Sequence, residues 1–244
     1  MRNIKLTIRY DGTRYAGWQS QTNGLAIQDV IQDTIKKITG ERVTVIGSGR
    51  TDAGVHAEAQ VANFKTRTKI PLKNIQMALN SRLPRDIAIT YIEEADPKFN
   101  AQKSAKSKLY RYTILNNDYM DPLRRYFTAK CFFKLNVNSM RKAAGYLEGR
   151  HDFRSFQTTD GREKNSVRTI KSIDIRKDGN IICVYIEANG FLYNMARNIV
   201  GTLVEVGRGR FTPMLVKDII AKRDRSSSGP TMPAKGLCMV KVRY

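Results

Sequence analysis

The sequence predicts an α+β fold of two related halves, each with the order β-α-β-β-α-β and a mostly antiparallel sheet. Along residues 1–105, stretches of alternating apolar residues and stretches with helical spacing follow one another in that order. The same order recurs along residues 106–244, where Asp178-Gly179 is a strong signal for a hairpin turn. This is the ferredoxin-like plan of many RNA-recognition folds, and we expect the two sheets to join in one central sheet with helices packed on one side.

In the first half, the spacing of apolar residues changes between the alternation of a strand and the spacing of a helix, and these changes mark the predicted elements. Apolar residues alternate from Ile4 to Tyr10, and Asp11-Gly12 then turns the chain. A helical apolar stripe ends at Gly40, and Pro71 is a favoured residue for the first turn of a second helix. The predicted strands are Ile4–Tyr10, Val43–Gly47, Gln60–Lys65 and Ile87–Ile92, and the predicted helices are Ala26–Thr39 and a segment from Pro71 through Leu79.

The second half repeats these patterns with a longer apolar helix before the last strand. The predicted strands are Leu109–Leu115, Thr169–Arg176, Ile181–Ala188 and Leu237–Val242. The predicted helices are Ser139–Leu147, Phe191–Val206 and Pro213–Arg223.

The charge of the chain favours a polyanionic partner. There are 43 Lys and Arg against 22 Asp and Glu, a net charge of +21, while a hydrophobic content of 41% excludes wholesale disorder. Residues 1–105 have a net charge of +6 and residues 106–244 one of +15. Because the excess runs through segments that fold, it predicts long-range attraction for nucleic acid or an anionic membrane.

Other features of the sequence argue against a membrane-spanning protein and against a metal-binding protein. No apolar run reaches the roughly 18–20 residues of a spanning helix, and no hydrophobic signal region follows the first charges. The three cysteines form no CxxC pair, which suits a reducing cytoplasm. With His56 and His151 as the two histidines, a zinc site is not expected. We therefore expect a cytoplasmic, metal-free protein that binds nucleic acid.

The densest candidate for chemistry is the glycine-rich stretch Gly47–Ala57 (GSGRTDAGVHA). It lacks the Gly-Lys-Ser/Thr of a Walker loop, and Asp52 stands where a dinucleotide fingerprint needs its third glycine, so no nucleotide cofactor is expected. Asp52 remains as a carboxylate in a tight turn, two residues after Arg50. On spacing alone an ordinary turn residue is the favoured interpretation of Asp52, and Arg50 has the alternative interpretation of an ordinary surface charge.

Three further residues have both a structural and a functional interpretation. Arg197 lies in an otherwise apolar helix, where a buried arginine is costly unless it pairs with a carboxylate; alternatively it faces water or phosphate. Tyr110 shares a strand face with Tyr112 and Ile114, which suits either core packing or stacking on a base. Leu237 is an ordinary core residue.

Several separated blocks, in order along the chain, resemble the tRNA pseudouridine synthase A family. The most specific is Gly49–Ala57 (GRTDAGVHA), and together the blocks cover essentially the whole chain. The others are Tyr10–Gly12, Tyr15–Gln19, Phe99–Tyr112, His151–Phe156, Phe191–Gly207 and Pro233–Tyr244.

The resemblance implies an isomerase that converts uridine to pseudouridine at positions 38, 39 and 40 of the tRNA anticodon stem-loop, as a homodimer without a cofactor. It implies that Asp52 is the nucleophile and that Arg197 pairs with this carboxylate. Tyr110 would stack on the flipped uracil and assist proton removal, and Leu237 would lie under the base. Arg50 would help to extrude the target nucleotide. Residues 1–105 would carry the catalytic loop, and the more basic residues 106–244 would complete the cleft.

The chemical path and one other class of function stay open. Asp52 can attack C6 of uracil, attack C1′ of ribose, or abstract the C2′ proton through a glycal; of these we favour the glycal. The alternative is a non-catalytic RNA-binding or RNA-folding protein on the same scaffold, which would not need Asp52. A DNA-binding regulator ranks below both, because no helix-turn-helix or zinc-finger signature is present.

Overall fold

The computed structural model of the chain describes residues 1–22, 24–158 and 165–244. The chain divides into two compact units. Unit 1 comprises Met1–Lys106 and Cys238–Tyr244, and unit 2 comprises Ser107–Leu237. The sequence assigns the last residues to the C-terminal half, whereas in the structure they belong to unit 1, because the final strand pairs with a strand of that unit.

Unit 1 has the predicted order β-α-β-β-α-β. The predicted strand Val43–Gly47 is only two residues long in the structure. The backbone of Val45 bonds to side chains of α1 instead of to a neighbouring strand: its N–H donates to Gln32 and its carbonyl accepts from Gln28. The bounds are β1 Arg2–Tyr10, α1 Ile27–Thr39, β2 Ile46–Gly47, β3 His56–Thr66, α2 Leu72–Arg82 and β4 Ile87–Ala95, with β10 Leu237–Arg243 following at the end of the chain.

The sheet of unit 1 is mostly antiparallel, in the order β4-β1-β3-β10. Strand β1 is antiparallel to both of its neighbours, so that Leu6 lies opposite Ala62 on one side and Ile92 on the other. Strand β10 runs parallel to β3, with Cys238 opposite His56. This pairing places the end of the chain beside the first residues of β3.

The predicted apolar face of β1 is the core of unit 1. Ile4, Leu6 and Ile8 are fully buried, and each contributes roughly 1.5–3 kcal/mol relative to an exposed side chain. Ile27, Ile31 and Ile35 of the apolar stripe of α1 are buried as well. The helix ends where Gly40 adopts φ 74° and donates its N–H to the Lys36 carbonyl.

Unit 2 contains the predicted elements of the second half except the final strand, together with two further short strands, β6 and β7. Both are too short, at three and four residues, for alternation to reveal them. The bounds are β5 Ser107–Asn116, β6 Ala129–Cys131, α3 Val137–Gly145, β7 Gly149–Asp152, β8 Val167–Asp178, β9 Ile181–Ala188, α4 Met195–Gly207 and α5 Leu215–Lys222, with 3-10 helices at Arg154–Phe156, Arg225–Ser227 and Ala234–Gly236.

The sheet of unit 2 has the order β5-β9-β8-β7 with antiparallel pairs, and β6 lies parallel to β5. The predicted hairpin joins β8 to β9, and Gly179 adopts the positive φ of 54° that the turn needs. At the end of β7, the Asp152 carboxylate accepts the Arg154 N–H and so orders the start of a 3-10 helix. Each unit combines helices with a mostly antiparallel sheet, which confirms the predicted α+β class.

Helix α4 is the buried helix of unit 2. Its residues from Met195 to Gly207 are all buried except Arg197, which is half-buried. The sequence predicts a start at Phe191, four residues too early, because Asn194 adopts the left-handed conformation with φ 59° and interrupts the helical backbone. None of the helices in the described ranges is both long and apolar enough to cross a bilayer.

Residues 228–232 lie directly on the backbone of α4. The Gly229 N–H donates to Thr202 Oγ1 at 2.9 Å, and a Cβ at Gly201 would overlap the Pro230 carbonyl oxygen. This close approach requires glycine at position 201.

We expect Gly201→Ala to destabilise the protein by about 1–3 kcal/mol, because the added methyl must displace the 228–232 backbone. The midpoint of denaturant unfolding measures the change. Gly145→Ala in α3 is the matched control, since nothing lies within 4 Å of its added Cβ, and we expect it to be neutral or stabilising. Equal midpoints for the two variants would contradict the packing of α4 described above.

Candidate active site

The predicted catalytic aspartate lies in unit 1, in the turn between β2 and β3. Its side chain is half-buried, and its carbonyl oxygen accepts the Val55 N–H at 3.2 Å, which closes the turn. Arg50, two residues earlier, is exposed. The structure therefore presents Asp52 and Arg50 on one short loop.

The chain on both sides of Asp52 is bound to the segment 10–18. The Thr51 carbonyl accepts the Trp18 N–H at 3.0 Å, and its hydroxyl lies 2.8 Å from the Tyr10 hydroxyl. Burial raises the pKa of Tyr10, so this phenol stays protonated at neutral pH and can donate. On the other side, the Gly54 N–H donates to the Tyr15 carbonyl at 3.3 Å. Asp52 is thus fixed through its neighbours.

The start of the loop is fixed by Gln60 of β3, a residue that the sequence did not single out. Its side-chain oxygen accepts from the Ser48 hydroxyl at 2.6 Å, and its amide donates to the Gly49 carbonyl at 2.9 Å. Gln60 is fully buried. A glutamine inside an apolar strand is the signal that could have identified it, since buried amides are retained where they have partners.

His56 anchors the end of the same loop. Its Nδ1 accepts the Gly12 N–H at 3.1 Å and lies 3.1 Å from Asp11 Oδ1, with the ring buried at the start of β3. These contacts connect the turn after β1 to the strand that follows Asp52.

Tyr110 and Tyr112 lie on one face of β5 in unit 2. The Tyr110 ring is 6% exposed and meets Phe191 edge-on at 4.8 Å between centroids, so it is packed and does not lie on an open sheet face. Tyr112 is fully buried, and its hydroxyl donates to the Pro233 carbonyl at 2.7 Å. Burial raises the pKa of Tyr112, and the nearby charge of Arg197 partly offsets that rise.

Arg197 is held by groups of unit 2. Its Nε donates to the Met232 carbonyl at 2.6 Å, and its Nη1 donates to Asn194 Oδ1 at 2.7 Å. A guanidinium is planar, so these two hydrogen bonds from different nitrogen atoms orient the group.

Leu237 follows closely in the chain, five residues after Met232. It is 6% exposed and begins β10 directly after a 3-10 helix, where Gly236 lies against the Tyr112 ring. Unit 2 therefore brings Arg197, Tyr112 and the segment leading to Leu237 together. Tyr112 was not predicted as a site residue, because a tyrosine on a strand is usually a core residue.

Basic side chains precede and enter β5, at Lys103, Lys106, Lys108 and Arg111. Burial lowers the pKa of Lys108, and the charge of Arg168 lowers it further. Over residues 1–22, 24–158 and 165–244, no group of three or more His, Cys, Asp or Glu is placed to hold a metal ion.

Comparison with known proteins identifies the family. A family model described as tRNA pseudouridine synthase matches residues 6–102 and 143–244. The chain is 50% identical over 244 residues to tRNA pseudouridine synthase A 2 of Clostridium perfringens, with 100% of both chains covered. It is 46% and 47% identical, again over 100% of both chains, to proteins named tRNA pseudouridine synthase A in Thermoanaerobacter sp. and Pelobacter propionicus.

Similarity to solved structures is weaker. A chain of a Cbf5-Nop10-Gar1 complex gives a TM-score of 0.41 at 10% identity, over 97% of this chain and 49% of that chain. This chain spans about half the length of that one.

The full-length identities and the family model confirm the resemblance carried by the Gly49–Ala57 loop and the other blocks. The chain belongs to the tRNA pseudouridine synthase family and is, like its members, an isomerase.

Proposed function

We propose that this protein isomerises uridine to pseudouridine at positions 38, 39 and 40 of the tRNA anticodon stem-loop, with Asp52 as the nucleophile. Family membership supports pseudouridine formation in tRNA. The observation that carries the role of Asp52 is its loop, in which hydrogen bonds to Tyr10, Trp18 and Tyr15 fix the residues on both sides of the carboxylate. A reacting group must be positioned in this way to contribute to catalysis.

The proposed reaction moves one bond and balances without a redox partner. The bond between C1′ and N1 of uridine breaks, the base turns, and a bond between C1′ and C5 forms. The proton leaves C5, and N1 gains one. Asp52 starts this sequence by attack at C6 or C1′, or by taking the C2′ proton to form a glycal, and we favour the glycal.

In this proposal Arg197 supplies the positive charge that keeps the Asp52 carboxylate ionised in a closed site. A neighbouring cation lowers the pKa of a carboxyl group and so opposes the effect of desolvation. The two hydrogen bonds from Arg197 to Met232 and Asn194 support the role, because they orient the guanidinium within unit 2.

The remaining roles follow the family pattern. Tyr110 stacks on the flipped uracil and assists proton removal, Leu237 lies under the base, and Arg50, which is exposed, helps to extrude the nucleotide. We propose further that the protein acts in the cytoplasm as a homodimer.

Asp52→Asn is expected to lower kcat by at least about 10³-fold and to leave tRNA affinity within a few-fold, because the amide keeps the size of the carboxylate but cannot act as nucleophile or base. Site-resolved mapping of pseudouridine in a tRNA transcript measures the rate at each position. Asp33→Asn, on the exposed side of α1, is the control and should retain full activity. If the wild-type protein binds tRNA and leaves positions 38–40 unmodified, it is a non-catalytic RNA-binding protein instead.

Tyr110→Phe removes the hydroxyl of Tyr110 but keeps its aromatic ring, so it tests the role of the hydroxyl separately. The ring contact with Phe191 survives, so we expect an unchanged Tm and tRNA affinity, with kcat lowered by about 10²-fold. Single-turnover kinetics and thermal unfolding measure the two quantities. A fully active variant would assign Tyr110 to packing and stacking alone.

Affinity for tRNA is expected to fall at least tenfold between about 50 mM and 200 mM salt, because a protein of net charge +21 releases counterions when it neutralises phosphates. Filter binding or fluorescence anisotropy over that range gives the slope. A flat response would show that the excess charge does not act on the phosphate backbone.

A further inference from the structure

Asn194 occupies the N-cap position of α4 without capping it. Across the described ranges, Asn194 and Arg223 are the two non-glycine residues with positive φ. An N-cap asparagine normally gives its side-chain oxygen to a backbone N–H of the first turn. The Asn194 side chain makes no such bond to α4, whose residues all lie within the described part of the chain.

The Asn194 amide instead connects Arg197 to another segment of unit 2. Its Oδ1 accepts from Arg197 Nη1 at 2.7 Å, and its Nδ2 donates to Thr158 Oγ1 at 3.1 Å. Thr158 is in turn tied to the neighbouring backbone, because its N–H donates to the Tyr193 carbonyl at 3.1 Å. Both ends of the amide are therefore engaged, and its oxygen faces the guanidinium.

Three local preferences are broken around this amide. Asn194 adopts a left-handed backbone, and its side chain leaves the start of α4 uncapped. Arg197 places a cation in the first turn of the helix, at the positive end of the helix dipole. Places where local preferences fail together are typical of functional sites, where strain is tolerated because it positions a group.

We propose that Asn194 is a positioning residue that sets the orientation of the Arg197 guanidinium for the catalytic carboxylate. The inference rests on the proposed function, in which Arg197 is the cation that serves Asp52. The Met232 carbonyl binds Nε from one side and the Asn194 oxygen binds Nη1 from another, so that the plane of the guanidinium is set by two acceptors. If the Asn194 oxygen is removed, the Met232 carbonyl is the one of these two acceptors that remains to orient the guanidinium.

Asn194→Gly tests the proposal, because glycine accepts the left-handed backbone while the amide is lost. We expect kcat to fall by about tenfold and tRNA affinity to remain within twofold. We expect Tm to fall by no more than about 2–4 °C, because relief of the left-handed backbone partly offsets the loss of two side-chain hydrogen bonds. The acid limb of the pH–rate profile should move to higher pH, since a less well oriented cation lowers the pKa of the catalytic carboxyl group less.

Asn136→Ala is the matched control, because Asn136 is an N-cap asparagine of the ordinary kind. Its side chain accepts the Ser139 N–H at 3.1 Å at the start of α3. Loss of this cap should lower Tm by about 2–4 °C and leave kcat unchanged. The two variants should therefore lower Tm by similar amounts, whereas kcat should fall in Asn194→Gly and stay unchanged in Asn136→Ala.

A double-mutant cycle with Arg197→Gln, which removes the positive charge, shows whether Asn194 acts through Arg197. If it does, adding Asn194→Gly to Arg197→Gln should cost much less than tenfold further. Losses that multiply, or an Asn194→Gly variant with kcat within twofold of wild type, would overturn the inference. A fully active Arg197→Gln variant would overturn the proposed role of Arg197 and this inference with it. An impaired Arg197→Gln variant beside a fully active Asn194→Gly variant would overturn this inference alone.

Discussion

The hydrogen bonds of Thr51 to Tyr10 and Trp18 connect the Asp52 loop to the rest of unit 1. A carboxylate in a glycine-rich turn is mobile unless its backbone is bound, and here the binding comes from the first strand and the segment after it. These hydrogen bonds join residues 41 and 33 positions apart in sequence, and the pairing of β1 with β3 brings these residues together. The position of the Asp52 carboxylate therefore depends on the formation of the sheet of unit 1.

In unit 2 the corresponding constraint is that a charged side chain, Arg197, lies in the otherwise buried helix α4. Arg197 is the half-buried residue of this helix, and its guanidinium donates hydrogen bonds to a carbonyl and an amide oxygen. The segment 228–232 supplies the carbonyl, and it reaches the helix because Gly201 leaves room for the Pro230 backbone. The packing of α4 and the orientation of Arg197 therefore depend on the same close approach.

The fold follows from the sequence largely because its elements are long and strongly periodic. The strand Ile181–Ala188 and the turn at Gly179 agree with prediction, as does the order of elements in unit 1. Errors occur where a tertiary contact overrides the local pattern. Val45 gives its backbone groups to two glutamines of α1, and Asn194 interrupts the apolar stretch that otherwise reads as the first turn of α4. Short strands such as β6 carry too few residues for a period to show.

The α+β class, the glycine-rich turn that carries Asp52 and the family resemblance follow from the amino-acid sequence alone, because they depend on local residue types and their order. The pairing of the last strand with unit 1, the hydrogen bonds of Gln60 to Ser48 and Gly49, and the contact of Asn194 with Arg197 emerge only in the folded protein. Those contacts depend on the direction of single polar side chains and on the pairing of distant strands. A hydrophobic pattern specifies which face is buried, but it does not specify which partner a buried amide finds.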